Sequence, residues 1–197
     1  MTRVSRYAAS TIPTDYGPIE AIVYRAGEDE HLALVSRERE TDDAWLVRVH
    51  SECWTGEVLR SHKCDCRGQL DEALRRVAED KHGVVVYLRQ EGRGIGLGNK
   101  IRAYALQEQG MDTVEANRAL GFADDARSYE IAADILRDLG VARVRLLTNN
   151  PAKVAGLERG GIEVVERVPL VVAHTDESAA YLAVKARRMG HEIGGGK

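Results

Sequence analysis

The alternation of helix-like and strand-like segments after residue 68 constrains the fold of this chain more than any other feature. Residues 69–81 repeat Leu70, Leu74 and Val77 at helical spacing, and residues 84–88 form a short apolar run typical of a buried strand. Further along, the pattern predicts helices 97–109 and 129–139, strand 144–148, a helix starting at Asn150-Pro151, strand 162–172 broken by Pro169, and helix 176–189. Strands that alternate with helices predict a sheet with parallel pairs, covered by helices.

The first fifty residues have the composition of strands instead. Residues 19–25, 31–37 and 45–50 are short β-prone runs separated by turn formers. The predicted fold class is therefore α/β, a mixed sheet covered by helices with a β-rich N-terminal portion. We expect a single domain over residues 1–197, made of a β-rich part (1–52), a cysteine motif (53–66), an α/β part (67–190) and a frayed tail (191–197).

The three cysteines of the chain, Cys53, Cys64 and Cys66, lie close together as C-x10-C-x-C. Three thiolates fill three corners of a zinc tetrahedron and leave the fourth for water, as in catalytic rather than structural zinc sites. A disulfide scaffold would need an even number of cysteines spread along the chain. The alternative is three buried apolar cysteines that happen to cluster.

The composition is that of an ordinary globular protein, with 30% charged and 44% apolar residues and a net charge of −3. This charge argues against broad nucleic-acid or membrane binding, although it allows a local basic pocket. No apolar run approaches membrane-spanning length. The first residues lack the apolar core of a secretory signal, so we expect a cytoplasmic protein with reduced thiols.

A glycine-rich stretch leads directly from the strand at 84–88 into the next helix. Its glycines permit close backbone approach, and Arg93 and Lys100 have the charge to neutralise phosphate. The alternative is a flexible surface turn. Lys153 follows a second strand, where the alternative is an ordinary helix start with a solvated lysine. The second helix beyond this stretch, 129–139, has Ser128 as its predicted N-cap.

Several long motifs, in order between Arg48 and Leu170, resemble one family. They are RVHSEC, CDC, RQEGRGIGLGNKIRAYALQEQG, DTVEAN, LGF, RLLTNNPAK and ERVPL. The chain resembles GTP cyclohydrolase II, which implies a homodimer with one zinc ion per subunit that also uses magnesium. The resemblance implies conversion of GTP to formate, pyrophosphate and 2,5-diamino-6-ribosylamino-4(3H)-pyrimidinone 5′-phosphate, the first step of riboflavin synthesis. A fused dihydroxybutanone-phosphate synthase domain is not seen, so we expect a monofunctional protein.

The resemblance also implies roles for individual residues. Cys53, Cys64 and Cys66 align with the zinc ligands, Asp125 with a proton acceptor, Arg127 with a nucleophile and Tyr104 with a residue near the reacting base. The implied GTP contacts are Arg48, Val49, His50, Ser51, Glu52, Gln69, Glu91, Gly92, Arg93, Thr113, Thr148 and Lys153. Gly94 and Gly98 stand where the family often has asparagine and a larger apolar residue, which bears on rate rather than on reaction type.

Elementary chemistry leaves some of these roles open. Asp125 or His50 has the chemistry to assist water addition, and Tyr104 is either a donor to developing charge or a core aromatic. Glu91 is the favoured acceptor for the adjacent N–H donors of guanine, with Glu52 as the alternative.

Arg127 has two possible roles, covalent nucleophile or electrostatic clamp, because a guanidinium is a poor nucleophile at neutral pH. Two rival functions also remain: a cyclohydrolase that retains the formyl group, and a zinc-stabilised nucleic-acid-binding module. The second rival requires a fourth metal ligand and a basic face with stacking aromatics.

Overall fold

One mixed sheet forms the centre of the protein, and a computed structural model describes residues 4–38, 43–123 and 125–172. Its strands are β1 Ser5–Thr14, β2 Gly17–Ala26, β3 Asp29–Arg37, β4 Trp45–Ser51, β5 His82–Leu88, β6 Arg143–Leu147 and β7 Glu163–Val168. They lie in the order β1-β2-β3-β5-β4-β6-β7. The pairs β1/β2, β2/β3 and β3/β5 are antiparallel, whereas β5/β4, β4/β6 and β6/β7 are parallel. The α/β prediction with a β-rich N-terminal part is confirmed.

Helices connect the parallel strands. They are α1 Trp54–Glu57, α2 Cys66–Asp80, a 3-10 helix at Glu91–Gly94, α3 Gly96–Glu108, α4 Thr113–Ala119, α5 Glu130–Asp138 and α6 Pro151–Arg159. Asn150 caps α6 by accepting a hydrogen bond from the Ala152 N–H at 2.9 Å, and Pro151 opens that helix, as predicted. Within the described residues, no helix is long and apolar enough to cross a membrane.

The structure corrects several predicted boundaries. The N-cap of α5 is Tyr129 rather than Ser128, whose hydroxyl only accepts a 3.3 Å hydrogen bond from the Glu130 N–H. The last strand ends at Val168, since Pro169 has no N–H to continue the ladder. Strand β1 and helices α1 and α4 were not predicted. The predicted helix 176–189 and the tail 191–197 lie outside the described residues.

Both faces of the parallel part of the sheet are buried, which leaves the edge formed by the strand ends as the place for a site. On one face Val47 and Val49 pack in a core with Ile135 of α5, and on the other Leu46 packs with Val77 of α2. Because β4, β5 and β6 run parallel, their carboxyl ends reach the same edge of the sheet. That edge is where ligands bind in open α/β sheets.

Candidate active site

A cavity opens at the carboxyl ends of β4, β5 and β6, and most of the predicted site residues line it. The predicted residues that line it are Arg48, His50, Ser51, Glu52, Cys53, Cys66, Gln69, Glu91, Gly92, Arg93, Tyr104, Thr113, Arg127, Thr148 and Lys153. Three predicted residues do not line the cavity itself but contact residues that do. Cys64 lies against Cys53, Asp125 pairs with Arg127, and Val49 offers its carbonyl oxygen to Lys153.

The three cysteine sulfurs converge at one end of this cavity. Their Sγ atoms all lie within 4.8 Å of one another, with 3.6 Å between Cys53 and Cys64. Gly56 permits this approach, because a Cβ there would lie 2.7 Å from Cys64 Sγ and 3.3 Å from Cys53 Sγ. Within the described part of the chain, no fourth His, Cys, Asp or Glu joins the group. The donor set therefore fits a metal ion that keeps one open position.

The electrostatics of the thiols favour a bound cation. Hydrogen bonds from Cys64 and Cys66 lower the pKa of Cys53, against the effect of its burial. The same contacts with Cys53, together with burial, raise the pKa of Cys64 and of Cys66. Three thiolates this close together repel one another unless a cation lies among them. Three thiolates require a divalent ion, and sulfur ligands suit zinc.

A buried ion pair adjoins Cys53. Lys100 Nζ donates to Cys53 Sγ at 3.2 Å and to Glu91 Oε1 at 2.8 Å. The Glu91 carboxylate also accepts from the backbone N–H groups of Trp54 at 2.6 Å and Gly92 at 2.7 Å. Burial lowers the pKa of Lys100, but Glu91 and Cys53 outweigh it and raise that pKa. Lys100 therefore faces the cysteines, which corrects its predicted role as a phosphate contact.

His50 lies beside the cysteines in a fixed orientation. Its Nε2 is 2.8 Å from Glu57 Oε1, which also accepts from the Cys53 N–H at 3.0 Å, and Tyr87 donates to the other Glu57 oxygen at 2.6 Å. Burial lowers the pKa of His50 to about 4, against the opposing effect of its hydrogen bond to Glu57. The imidazole is therefore neutral near pH 7, with Nε2–H directed at Glu57. Its buried Nδ1 has no partner among the described residues.

Acidification is expected to destabilise the fold through His50. The pKa of this histidine falls from 6.5 to about 4 on folding, so the unfolded chain binds more protons within that window. The free energy of unfolding should therefore fall by about 2 kcal/mol from this group between pH 7 and pH 5. Urea unfolding of metal-free protein at both pH values should show a shallower loss for His50→Gln. Equal losses in the two proteins would contradict the prediction.

Two buried cations also line the cavity. Burial lowers the pKa of Arg48 to about 10, and its guanidinium donates to Leu147 O at 2.9 Å and to Gln69 Oε1 at 2.7 Å. Lys153 is 6% exposed, and its Nζ donates to Val49 O at 2.8 Å. The alternative of a solvated lysine at an ordinary helix start is therefore wrong. Two buried cations in a partly apolar cavity favour an anionic ligand.

Asp125 and Arg127 form a two-contact ion pair at the rim. Arg127 Nε lies 2.8 Å from Asp125 Oδ1, Arg127 Nη2 lies 2.5 Å from Oδ2, and the Arg127 N–H donates to Oδ1 at 3.0 Å. Burial raises the pKa of Asp125, but the bonds from Arg127 outweigh it and the pKa is lowered. Asp125 is therefore ionised, and its negative charge holds Arg127 in its protonated form.

The glycine-rich turn connects this ion pair to the cysteines. Gly92 and Arg93 both have φ near +60°, at 63° and 64°. The Arg93 carbonyl oxygen accepts from the Ala126 N–H at 3.1 Å, and a Cβ on Gly94 would lie 3.2 Å from the Ala126 backbone. The turn thus packs against residues 125–127 on one side, while Gly94 itself is exposed, as the alternative of a surface turn expects. Gly96 and Gly98 have open space around them.

Tyr104 lies one helical turn after Lys100 on α3 and borders the cavity. It is half-buried, and Lys63 Nζ lies 4.7 Å from its ring centroid. The position is that of a cavity residue rather than a core aromatic.

Sequence reasoning gave no site role to six further polar residues of the cavity wall. They are Asp65, Gln90, Gln107, Asn117, Asn149 and Asn150. Asn117 lies on α4. The start of this helix could have been predicted from the sequence, because Asp112 and Glu115 form a capping box there. Asn149 bonds the backbone of Leu170 on both sides, at 2.7 Å and 3.2 Å, a contact that no local pattern indicates.

Comparison with known proteins connects this geometry to a family. The model of GTP cyclohydrolase II matches residues 5–169. Over 192 residues the chain is 54% identical to riboflavin biosynthesis protein RibBA of Bacillus cereus, covering 96% of this chain and 48% of that protein. Over 195 residues it is 51% identical to GTP cyclohydrolase-2 of Actinobacillus succinogenes, covering 98% of this chain and 90% of that protein.

Among solved structures, the two-domain 3,4-dihydroxy-2-butanone 4-phosphate synthase RibBX of A. baumannii superposes with a TM-score of 0.49 at 25% identity. The match covers 87% of this chain and 41% of that chain. The chain spans about half the length of the RibBA relatives, at 48%, and most of the length of the Actinobacillus relative, at 90%. With the family model matched over residues 5–169, the chain belongs to the GTP cyclohydrolase II family.

Proposed function

We propose that this protein is a zinc-dependent GTP cyclohydrolase II of the cytoplasm, acting as a homodimer in the first step of riboflavin synthesis. Its products would be formate, pyrophosphate and 2,5-diamino-6-ribosylamino-4(3H)-pyrimidinone 5′-phosphate. The observation that carries the proposal is one cavity lined both by residues of a three-thiol cluster and by buried cations. A guanine nucleotide would present a ring carbon to the thiol cluster and a phosphate chain to the cations.

Cys53, Cys64 and Cys66 would hold one zinc ion per subunit. Bound there, zinc would supply the Lewis acidity that makes water nucleophilic toward the guanine ring. We assign proton acceptance in this step to His50 rather than Asp125. The neutral His50 has a free lone pair at Nδ1, whereas both Asp125 oxygens are bonded to Arg127. Tyr104, at the cavity wall, is the proposed donor to charge that develops on the ring or formyl oxygen.

Pyrophosphate release would involve the cationic side chains of the cavity. Arg93, Arg127 and Lys153 line the cavity and, with magnesium on the phosphates, would neutralise charge as in other phosphoryl transfers. Arg127 suits an electrostatic clamp better than a nucleophile. Its pairing with ionised Asp125 stabilises the protonated guanidinium, which has no available lone pair.

Guanine selection is assigned to Glu52. Glu91 was the favoured residue, but its carboxylate already accepts three hydrogen bonds within the protein. Glu52 lines the same cavity, and its closest side-chain partner, Arg89 Nε, lies 3.5 Å away. Its carboxylate is therefore the better placed to accept from the adjacent N–H donors of guanine.

Replacing Glu52 with Gln is expected to reduce the preference for GTP over ATP by at least tenfold in kcat/KM. The carboxamide accepts one of the two guanine bonds and opposes the other donor, a loss of about 1.4 kcal/mol or more. Competition between the two nucleotides measures the ratio. Glu79→Gln, on the exposed side of α2, is the matched control. An unchanged ratio in Glu52→Gln would remove Glu52 from this role.

Incubation of zinc-loaded protein with GTP and magnesium tests the function as a whole. Formate, pyrophosphate and the diaminopyrimidinone product, identified by mass, are expected together. Pyrophosphate without formate would support the formyl-retaining alternative instead. A folded, metal-loaded protein that forms neither would contradict the proposal.

A further inference from the structure

Lys100 and Glu91 form an ion pair beside Cys53. This pair is buried, although lysine side chains are usually solvated. The side chains of Lys100 and Glu91 are 11% and 7% exposed, and the Lys100 ammonium lies 3.2 Å from Cys53 Sγ. We propose that Lys100, held in place by Glu91, is a positioning residue that sets how strongly the Cys53 sulfur donates electrons to the metal ion. This inference rests on the proposed function, because it requires a divalent ion on the three cysteines.

The position of the ammonium is fixed from several directions. Lys100 is on α3, and its long side chain reaches both Glu91 and Cys53. Glu91 is itself held by the N–H of Gly92 and by the N–H of Trp54, the residue that follows Cys53. The Glu91 carboxylate therefore holds both the Lys100 ammonium and the backbone next to Cys53 in position. Because the contact between Lys100 and Cys53 is constrained in this way, its effect on the Cys53 sulfur is constant.

The charge balance of the centre gives this contact a chemical consequence. Three thiolates around a divalent ion leave a net negative charge, which weakens the attraction of the ion for a water molecule. An N–H donor from a cation draws electron density from the sulfur it contacts, and such outer-shell bonds tune metal centres. The ammonium touches the sulfur directly, whereas the Glu91 carboxylate is held beyond it by Lys100 and two backbone donors. Lys100 therefore offsets the excess donation of a three-sulfur site.

Cobalt(II) in place of zinc provides a readout that does not depend on turnover. Thiolate-to-cobalt charge transfer absorbs at an energy that falls when the sulfur becomes a stronger donor. Lys100→Met keeps most of the side-chain length but removes the N–H donor. We expect its charge-transfer band to move to longer wavelength, with one cobalt still bound per chain. Lys100→Arg restores a cationic donor and should give a band between the two, and it also serves if Lys100→Met does not fold.

Turnover of the zinc form supplies a second readout. Formate release by Lys100→Met should fall about 10- to 100-fold, as for other outer-shell residues of metal sites. The KM for GTP should change by less than about threefold, because the Lys100 ammonium contacts Cys53 and Glu91 and is not one of the proposed phosphate contacts. Arg102→Met is the matched control, since Arg102 is exposed on the same helix and contacts Asn99. Its band and its rate should match those of the unmodified protein.

The outcomes separate this inference from the function on which it rests. A thiolate-to-cobalt band that is identical in the unmodified protein and in both Lys100 variants would overturn the inference while leaving the proposed metal site intact. Absence of any such band in the unmodified protein would overturn both. A normal cobalt band in a protein that forms no product from GTP would contradict only the proposed function.

Discussion

Gly56→Ala is expected to lose metal affinity by about 10- to 100-fold while remaining folded. The new Cβ would lie 2.7 Å from Cys64 Sγ and 3.3 Å from Cys53 Sγ. In the metal-free protein the Cys64 side chain can rotate away, whereas three sulfurs around one ion have no such freedom. The strain is therefore confined to the metal-bound state, and overpacking of this kind costs about 1–3 kcal/mol.

Competition against a zinc chelator measures this loss, and thermal unfolding of the metal-free form verifies the fold. Gly98→Ala is the matched control, because Gly98 lies on α3 with no atom within 4 Å of its added Cβ. This control should bind zinc normally and be at least as stable, since alanine favours helix over glycine. Wild-type zinc affinity in Gly56→Ala would show that the sulfurs do not need the space that glycine leaves.

Arg127→Ala is expected to reduce pyrophosphate formation by about 10³-fold or more, the scale of an arginine that stabilises a phosphoryl-transfer transition state. Arg127→Lys retains the charge but not the two-contact geometry with Asp125, so it should recover part of the rate. Partial recovery is the expected result for a clamp, and because a lysine amine can also act as a nucleophile, detection of a covalent adduct is needed to separate the two roles. Pyrophosphate release at saturating GTP and magnesium measures both variants.

Mass spectrometry of the intact protein during turnover tests the alternative, covalent role of Arg127. No guanylyl adduct should accumulate on the unmodified chain. An adduct on Arg127, together with an Arg127→Lys variant as inactive as Arg127→Ala, would establish the covalent role instead. Arg102→Lys, an exposed change on α3, should behave as the unmodified protein.

The sequence predicts the helices and buried strands of this fold well where hydrophobic patterning is strong. β5 is buried on both faces and contains the continuous apolar run Val84–Leu88, so its existence follows from composition, whereas β4 interrupts its apolar residues with Arg48 and His50. Strand β1 lacks that signal because it is an edge strand exposed along its whole length, and its pairing with β2 provides its order. The insertion of β5 between β3 and β4 is a long-range choice that no local window contains.

In the site, as in the fold, some features follow from the local sequence and others depend on residues that are distant along the chain. The cysteine spacing points to a metal centre because the ligands are close in sequence. The partners of Lys100 could not be foreseen, since they depend on the left-handed turn at Gly92 and Arg93, which is unusual for arginine. For the same reason Glu91 looked available for substrate, although its carboxylate is used within the protein.

The 3-10 helix Glu91–Gly94 also sets the distance between the Cys53 region and the Arg127 region. At one end the Glu91 carboxylate bonds Trp54, next to Cys53, and at the other the Arg93 carbonyl oxygen bonds Ala126, next to Arg127. Under the proposed function, a nucleotide with its base at the sulfurs and its phosphates at Arg127 would have to match the distance set by this one turn of backbone. A chain with one residue inserted there would keep both groups of side chains, but at a separation that one nucleotide could not span.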